Sequence, residues 1–341
     1  MLTMIRQFLA LSILALHGIL VAGFTNPIKQ SGPDPFMVYN DGFYYLTTTT
    51  AVDIQITRAA TINELKSATP KVIWKDSDPS RCCNLWAPEI HWQPNESAWY
   101  IYYAAGTSGT VDNQRMHALR GSSANIWDST WSYAGRFVPP NRDAYAIDGT
   151  VLVVGSNRYL VYSSWDGPTP MINATTVGDC VKISTPTLPW EMVGLNVNEG
   201  PAALHHEGRT WIIYSASYCD GTGYKLGRLE LTGTDPLDPN SWTKFGEPVF
   251  ESANGILNLI SYPKPMLMVV SLCGANTSLA IMDSLSPSGN ENWIVYHAND
   301  VTPGKCDGSR HTLTQPFGWN SDGTPNFGAP RPLSDDIPEP Q

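Results

Sequence analysis

The chain has 341 residues, enough for one large domain or two of average size, and carries a formal charge of −10 with only 15% charged residues. An acidic chain without clustered Lys and Arg lacks the positive patch that neutralises phosphates, so its composition argues against nucleic acid as a partner. Its 12 Trp, 15 Tyr and 9 Phe suit a neutral ligand such as a sugar, whose C–H faces stack on aromatic rings, although aromatic side chains also fill β-sheet cores.

The N-terminal segment has the pattern of a targeting sequence. Residues 1–23 combine one basic residue, Arg6, with an apolar centre and a small-residue end. This predicts a secretory signal peptide and a secreted, extracellular protein, and not a membrane protein. The alternative of a membrane anchor is disfavoured because His17 and Gly18 interrupt the apolar run and no basic flank follows. Three N-glycosylation sequons agree with secretion; they begin at Asn95, Asn173 and Asn276.

The cysteine count is even and compatible with disulfides in an oxidising compartment. The six residues are Cys82, Cys83, Cys180, Cys219, Cys273 and Cys306. Their pairing stays open, since six cysteines allow fifteen connectivities, and no CxxC spacing indicates zinc. The neighbours Cys82 and Cys83 are expected to point to different faces and not to bond each other.

Five segments repeat one pattern, in which polar turn residues precede an aromatic strand. Their first aromatic residues are Phe43, Trp99, Tyr159, Trp211 and Trp293, spaced by 56, 60, 52 and 82 residues. Units of 50 to 60 residues with several short strands are typical of propeller blades. The sequence therefore predicts a single all-β domain over residues 27–335, a five-bladed β-propeller with its active site in the central channel. A β-sandwich with chance similarity among its strands is the alternative.

Three acids stand at equivalent places in this repeat. Asp34, Asp148 and Glu199 each lie in a polar or Gly-Pro corner before an apolar strand, in "SGPDPFMVY", "AYAIDGTVLVV" and "VNEGPAAL". Asp-Pro and Asp-Gly also form ordinary turns. In a propeller, however, such corners converge on the channel, and two facing carboxyl groups are the minimum equipment for glycoside hydrolysis. A third acid nearby would raise the pKa of the proton donor.

The chain resembles glycoside hydrolase family 43, and within it the secreted, exo-acting α-L-arabinofuranosidases and related arabinan-degrading enzymes. The matching stretches are "DPF" at Asp34, "NLWAPEIHW", "AIDGTVL" and "VNEGPAAL". The resemblance implies an inverting enzyme in which Asp34 is the general base, Glu199 the general acid and Asp148 the residue that orients Glu199 and tunes its pKa. Inversion predicts a base-to-acid separation of about 6.5–9.5 Å.

The same resemblance suggests further site residues. Trp86, Glu89 and Arg310 are expected to bind substrate, although core packing for Trp86 and a surface position for Arg310 are alternatives. No cofactor is required. The family leaves room for a structural Ca²⁺ or Na⁺ in the channel, for which His297 is a candidate contact, with a core histidine as the alternative.

The sequence departs from the family at two places. Residues 256–283 replace the usual entry to the fifth blade and are read as an atypical insertion for which the sequence supplies no structural account. The stretch after "SSWDGPTP" is short, so the third blade is expected to lack an outer strand. Both a gene-model artefact and a paralogue without activity would produce this pattern.

The expected function is removal of terminal α-L-arabinofuranosyl residues from arabinan or arabinoxylan-type plant polysaccharides. A β-xylosidase or an endo-arabinanase would use the same three acids. From another class, a carbohydrate-binding propeller with impaired catalysis is the alternative. The oligomeric state is open.

Overall fold

The computed structural model describes residues 23–140, 143–165, 177–219, 223–253, 267–275, 286–299 and 306–341. These segments are almost entirely β-structure, because β-branched and aromatic runs alternate with Gly, Pro, Asn and Asp turns. Within them, no helix is long and apolar enough to cross a membrane. The predicted signal peptide lies, except for Gly23, outside the described residues.

The first two repeats each form a four-stranded antiparallel sheet in chain order. After β1 (Gly23–Phe24), the first sheet contains β2 (Phe36–Asn40), β3 (Phe43–Thr47), β4 (Ile54–Ala59) and β5 (Lys71–Trp74), with α1 (Ile62–Leu65) before β5. The second contains β6 (Cys83–Gln93), β7 (Ala98–Gly106), β8 (Arg115–Gly121) and β9 (Trp131–Arg136). Short 3-10 helices span Pro94–Glu96, Pro189–Glu191 and Pro239–Ser241.

The third and fourth repeats share one eight-stranded sheet. The third supplies β10 (Ile147–Val154), β11 (Asn157–Trp165) and β12 (Val177–Ser184). The fourth supplies β13 (Asn196–His206), β14 (Arg209–Ala216), β15 (Lys225–Leu231) and β16 (Trp242–Lys244). The eighth strand, β17 (Leu267–Ala275), pairs antiparallel with both β11 and β12 and, over two residues, parallel with β13.

The position of β17 changes the interpretation of two departures noted in the sequence. Residues 267–275, which lie within the segment 256–283, form a strand that pairs with β11 from Arg158 to Trp165. This strand occupies the place beside β11 that the short third repeat leaves empty in the sequence. The physical reason is composition, since "LMVVSL" favours a paired strand. The rest of the 256–283 segment lies outside the described residues.

The last repeat closes the chain on itself. It contains β18 (Asn292–Ala298), β19 (His311–Trp319) and β20 (Pro325–Asn326), and β21 (Ile337–Pro338) then pairs with β1. Asn26 adds a second link, because its side-chain amide donates to the Thr314 carbonyl at 2.9 Å and its side-chain oxygen accepts from the Thr314 N–H at 3.0 Å.

The core lies between neighbouring repeats and not within any one of them. Buried clusters join the first repeat to the second, the second to the third, the third to the fourth, the fourth to the last and the last back to the first. Trp211, fully buried, anchors the fourth of these contacts. The described strands form a single-domain, all-β propeller. The predicted count of five separate blades is not confirmed, since the third and fourth repeats share a sheet.

The expectation for Cys82 and Cys83 was wrong: the two residues form a disulfide, with Cα atoms 3.7 Å apart. The expectation assumed an extended strand, in which neighbouring side chains point to opposite faces. The chain instead turns at Arg81 and Cys82, and β6 begins only at Cys83.

Candidate active site

One large cavity, of about 1380 Å³, opens where the inner strands of the repeats converge. All the residues singled out in the sequence line it: Asp34, Asp148, Glu199, Trp86, Glu89, Arg310 and His297. The three acids come from the segment before β2 and from β10 and β13, so the topology joins residues that are far apart in the chain. Their chemical roles stay predictions.

Unusual backbone geometry positions each acid. Asp34 and Asp148 have left-handed backbone, with φ of 50° and 54°, and Gly200 directly after Glu199 has φ of 56°. Asp and Gly tolerate this region better than other residue types. The register of β10 shifts between Ile147 and Thr150, and that of β13 between Glu199 and Ala202. Such bulges re-aim side chains, so the Asp-Gly and Glu-Gly-Pro corners act inside or beside paired strands and not as ordinary hairpin turns.

Asp34 is held in the ionised form. The Arg310 guanidinium donates to both carboxylate oxygens, with Nη1 2.7 Å from Oδ1 and Nη2 3.3 Å from Oδ2. Burial alone would raise the pKa of Asp34, but the charge of Arg310 and a hydrogen bond from Thr49 lower it below its ordinary value. The Asp34 N–H also donates to Nδ1 of His297 at 3.0 Å.

Glu199 and Asp148 favour the protonated form. Burial and the charge of Asp34 together raise the pKa of Glu199 to about 7, against the opposing effects of a hydrogen bond from Tyr224 and the charge of Arg310. Burial and the neighbouring charge of Glu199 raise the pKa of Asp148 well above its ordinary value. Since the repulsion is mutual, the two carboxyls titrate as a pair. The cavity therefore combines one ionised carboxylate with a pair that retains a proton near neutrality.

Further residues around the acids were not singled out in the sequence, among them Thr49, which hydrogen bonds to Asp34. Tyr224, almost fully buried, hydrogen bonds to Glu199 and stacks on the His297 ring at a centroid distance of 6.3 Å. Ser163 is fully buried, and its Oγ, like Oδ2 of Asp148, accepts from the Gly200 N–H, at 3.1 and 3.2 Å. Tyr224 lies just before β15 and Ser163 lies within β11, in stretches whose composition carries no local signal of a site.

Trp86 and Glu89 both face the cavity from β6. Trp86 also packs on the cluster that contains Tyr145 and Trp165, whose rings lie 5.1 Å apart. Glu89 is half-buried and its Oε2 lies 2.8 Å from Nε2 of His91. Glu89 is therefore held by a strand neighbour while it adds negative charge beside Asp148. Substrate contacts of both residues stay predictions.

The described residues do not fit direct binding of a cation by His297. Its Nδ1 accepts the Asp34 N–H, and Nη1 of Arg310 lies 3.2 Å from its Nε2. Burial lowers the pKa of His297 to about 3, so the ring is neutral, but the adjacent guanidinium repels a metal ion. Within the described part of the chain, no group of three or more His, Cys, Asp and Glu residues could hold a metal. The prediction of a structural Ca²⁺ or Na⁺ stays untested.

A disulfide forms part of the cavity wall. Cys219, shortly after β14, bonds Cys306, shortly before β19, with Cα atoms 5.5 Å apart and a sequence separation of 87 positions. It joins the fourth repeat to the last at the side of the cavity that carries Arg310.

Comparison with known proteins places this geometry in a family. The family model described as glycosyl hydrolases family 43 matches residues 24–325. The solved α-L-arabinofuranosidase from Lactobacillus brevis superimposes with a TM-score of 0.73 at 30% identity, covering 92% of this chain and 98% of that one.

Curated relatives with similar sequences carry related names. An extracellular exo-α-(1→5)-L-arabinofuranosidase from Streptomyces avermitilis and α-L-arabinofuranosidase 43 from Humicola insolens are each 34% identical, over 90% and 91% of this chain. The chain spans 63% and 64% of the length of these two relatives. A probable arabinan endo-1,5-α-L-arabinosidase A from Aspergillus flavus is 27% identical over 92% of this chain and 95% of its own length. With the family model matched across nearly the whole described chain and these identities, the chain belongs to glycosyl hydrolases family 43.

Proposed function

We propose that the chain is a secreted, inverting glycosidase that removes terminal α-L-arabinofuranosyl residues from arabinan or arabinoxylan-type polysaccharides. The observation that carries the proposal is the convergence of Asp34, Asp148 and Glu199 on one cavity, with Arg310 paired to Asp34. Hydrolysis with inversion needs one carboxylate and one carboxylic acid, and the lowered pKa of Asp34 and raised pKa of Glu199 agree with those roles. The substrate class is supported by the names of the relatives from S. avermitilis and H. insolens, and secretion by the word extracellular in the name of the S. avermitilis relative.

In this mechanism each acid has a separate task. Asp34, kept ionised by Arg310, deprotonates a water that attacks the anomeric carbon. Glu199, kept protonated by burial, donates its proton to the departing glycosidic oxygen. Asp148 repels charge on Glu199 and accepts the Gly200 N–H beside it, which fixes the local backbone. The Asp34–Glu199 carboxyl separation is expected to be about 6.5–9.5 Å, room for the attacking water.

Hydrolysis of nitrophenyl α-L-arabinofuranoside, compared with nitrophenyl β-D-xyloside, tests the function. On arabino-oligosaccharides, whose poor leaving group must be protonated, Glu199→Gln should lower kcat by about 10²- to 10⁴-fold, because the proton donor is lost while the shape is kept. The matched control is Glu207→Gln, on a carboxyl that is 75% exposed in an outer turn, and it should keep wild-type activity. Unchanged turnover in Glu199→Gln would remove Glu199 from the mechanism.

The same assay separates the alternatives. Preference for the xyloside would indicate a β-xylosidase, and release of oligosaccharides from linear arabinan would indicate endo action, as in the name of the A. flavus relative. Binding of arabino-oligosaccharides without turnover would indicate a non-catalytic propeller. Proton NMR of the first-formed sugar tests inversion, since a retained anomeric configuration contradicts it.

A further inference from the structure

The Cys219–Cys306 disulfide joins the segment that follows β14 to the turn that presents Arg310. On the Cys219 side, the chain is fixed by hydrogen bonds to the segment around Glu199. The Ser217 N–H donates to the Val197 carbonyl at 3.1 Å, and the Tyr218 N–H donates to the Val193 carbonyl at 3.2 Å. Ser217 Oγ donates in addition to the Trp190 carbonyl at 2.6 Å. Cys219 thus extends from a well-anchored strand end.

On the other side, Cys306 directly precedes the turn, residues 307–310, that presents Arg310. The Asp307 carbonyl accepts from the Arg310 N–H at 3.4 Å and from its Nε at 3.1 Å, and Oδ1 of Asp307 accepts from the Ser309 N–H at 2.8 Å. These contacts shape the turn. Its C-terminal end is tied to the segment before Asp34, because the Arg310 carbonyl accepts from the Gly32 N–H at 2.7 Å, and Ser309 Oγ lies 3.5 Å from Oδ1 of Asn299. The disulfide supplies a covalent link between this turn and the fourth repeat.

The position of the turn matters because Arg310 is nearly buried, only 9% exposed, and reaches across to Asp34 with both terminal nitrogens. A two-point contact of this kind depends on placement to within a fraction of an ångström. We propose that the Cys219–Cys306 disulfide is a positioning element of the site, which holds the 307–310 turn so that the Arg310 guanidinium stays paired with the Asp34 carboxylate. This deepens, and rests on, the proposed function of Asp34 as the base.

The charges around Asp34 determine the expected effect of losing the disulfide. Arg310 and His297 face it from the last repeat, and the carboxyls of Asp148 and Glu199 face it from the third and fourth. Of these, Arg310 is the permanent cation. If the guanidinium moves away, the remaining carboxyls and burial raise the pKa of Asp34, and the base is protonated at a higher pH.

The test compares two disulfides of the same chain. The double variant Cys219→Ser/Cys306→Ser removes the proposed positioning link, and Cys82→Ser/Cys83→Ser removes a disulfide outside the cavity lining. The pH dependence of kcat/KM on the arabinofuranoside is measured for both. In Cys219→Ser/Cys306→Ser the acid limb of the kcat/KM profile should move up by about one pH unit. The fall in kcat should be larger than the change in KM. In Cys82→Ser/Cys83→Ser the acid limb should stay at its wild-type pH.

Hydrogen exchange gives a readout that does not depend on catalysis. Peptides covering residues 306–312 and 33–36 should exchange faster in Cys219→Ser/Cys306→Ser and at the wild-type rate in the control. If the wild-type protein proves inactive, the proposed function fails, and this exchange measurement alone decides the positioning proposal.

Several results overturn the proposal. An unmoved acid limb in folded Cys219→Ser/Cys306→Ser, or wild-type exchange at residues 306–312, shows that the turn holds its place without the disulfide. Equal shifts in both double variants show a general loss of stability.

If Cys219→Ser/Cys306→Ser does not fold, the exchange comparison is made on the wild-type protein with and without dithiothreitol. Mass spectrometry then identifies which disulfide has opened. Exchange at 306–312 that stays unchanged after opening of Cys219–Cys306 then contradicts the proposal.

Discussion

At the scale of single residues, Arg310 is the cation that influences the pKa values of both Asp34 and Glu199. Its charge lowers the pKa of Asp34 and opposes the rise in the pKa of Glu199. The base must be ionised and the acid protonated, so activity is expected above the lowered pKa of Asp34 and below about 7. Arg310 therefore affects both limbs of the pH profile.

Replacing Arg310 by an uncharged residue should move the whole pH profile of kcat/KM. In Arg310→Gln, loss of the positive charge raises the pKa of Asp34 by about 1–3 units and raises that of Glu199 as well. Both limbs of kcat/KM should then shift to higher pH, and activity at pH 5 should fall more than activity at pH 7. The measurement is kcat/KM against pH on the arabinofuranoside.

The control for this prediction is Arg209→Gln, because Arg209 also binds a carboxylate through two nitrogens, that of Glu230, but lies outside the cavity lining. Its profile should match the wild type. A drop in kcat/KM for Arg310→Gln at every pH, with both limbs in place, would instead assign Arg310 to substrate binding alone.

The sequence indicates these residues only in part. Asp34, Asp148 and Glu199 are recognisable because each acid sits beside a Pro or Gly corner in a repeated context. Tyr224 and Ser163 are not, because their importance comes from contacts with residues of other strands. Spacing along the chain carries no information on such contacts.

At the scale of elements, β13 is held in place by a buried polar network next to Glu199. Fully buried Glu191 accepts from Nζ of Lys244 at 2.7 Å, from the Tyr214 hydroxyl at 2.8 Å and from the Asn198 side-chain amide at 3.0 Å. Asn198 precedes Glu199 on β13. Burial would raise the pKa of Glu191, but the hydrogen bond from Lys244 and two backbone N–H groups lower it below its ordinary value.

Removing the cation from this network should be strongly destabilising. Lys244→Met leaves a buried carboxylate unpaired, which costs about 3–5 kcal/mol of unfolding free energy at pH 7. Because the pKa of Glu191 is lowered in the folded state, its stabilisation is present above its unfolded pKa and is lost as pH falls through the folded value. The difference in unfolding free energy between Lys244→Met and the wild type should thus become smaller as the pH falls.

Urea unfolding at pH 7 and pH 4 measures both effects. Arg120→Met, which breaks an exposed pair with Glu96, should cost less than about 1 kcal/mol. A Lys244→Met variant as stable as Arg120→Met would mean that water reaches Glu191 and that the network does not hold β13.

The strands also show where sequence patterns stop being informative. The repeated aromatic strands are found in the structure as β3, β7, β11, β14 and β18, since turn chemistry and alternation are local properties. The place of β17 beside β11 depends on pairing between residues about 110 positions apart, such as Tyr162 with Ser271. No local pattern specifies such a partner, so residues 267–275 could not be assigned from the sequence.

At the scale of the whole molecule, the sequence predicts the all-β propeller and the convergence of the acids on one cavity, because both follow from repetition. It does not predict how the third and fourth repeats merge into one sheet, nor which cysteines bond. These features depend on which edges and side chains meet after the ring has closed. The Cys82–Cys83 bond, for example, depends on a turn just before β6 that the composition does not specify.

The pairing of β1 with β21 has a consequence for the connectivity of the chain. Gly23 lies opposite Pro338 in this pair, so a short Gly-Ser linker from residue 341 to residue 23 would span neighbouring points. New ends could then open at the exposed turn of Gly155 and Ser156 between β10 and β11. Such a circular permutant should unfold in a single transition close to that of the parent. A large loss of stability would show that an unbroken connection between β10 and β11 is needed for the stability of this architecture.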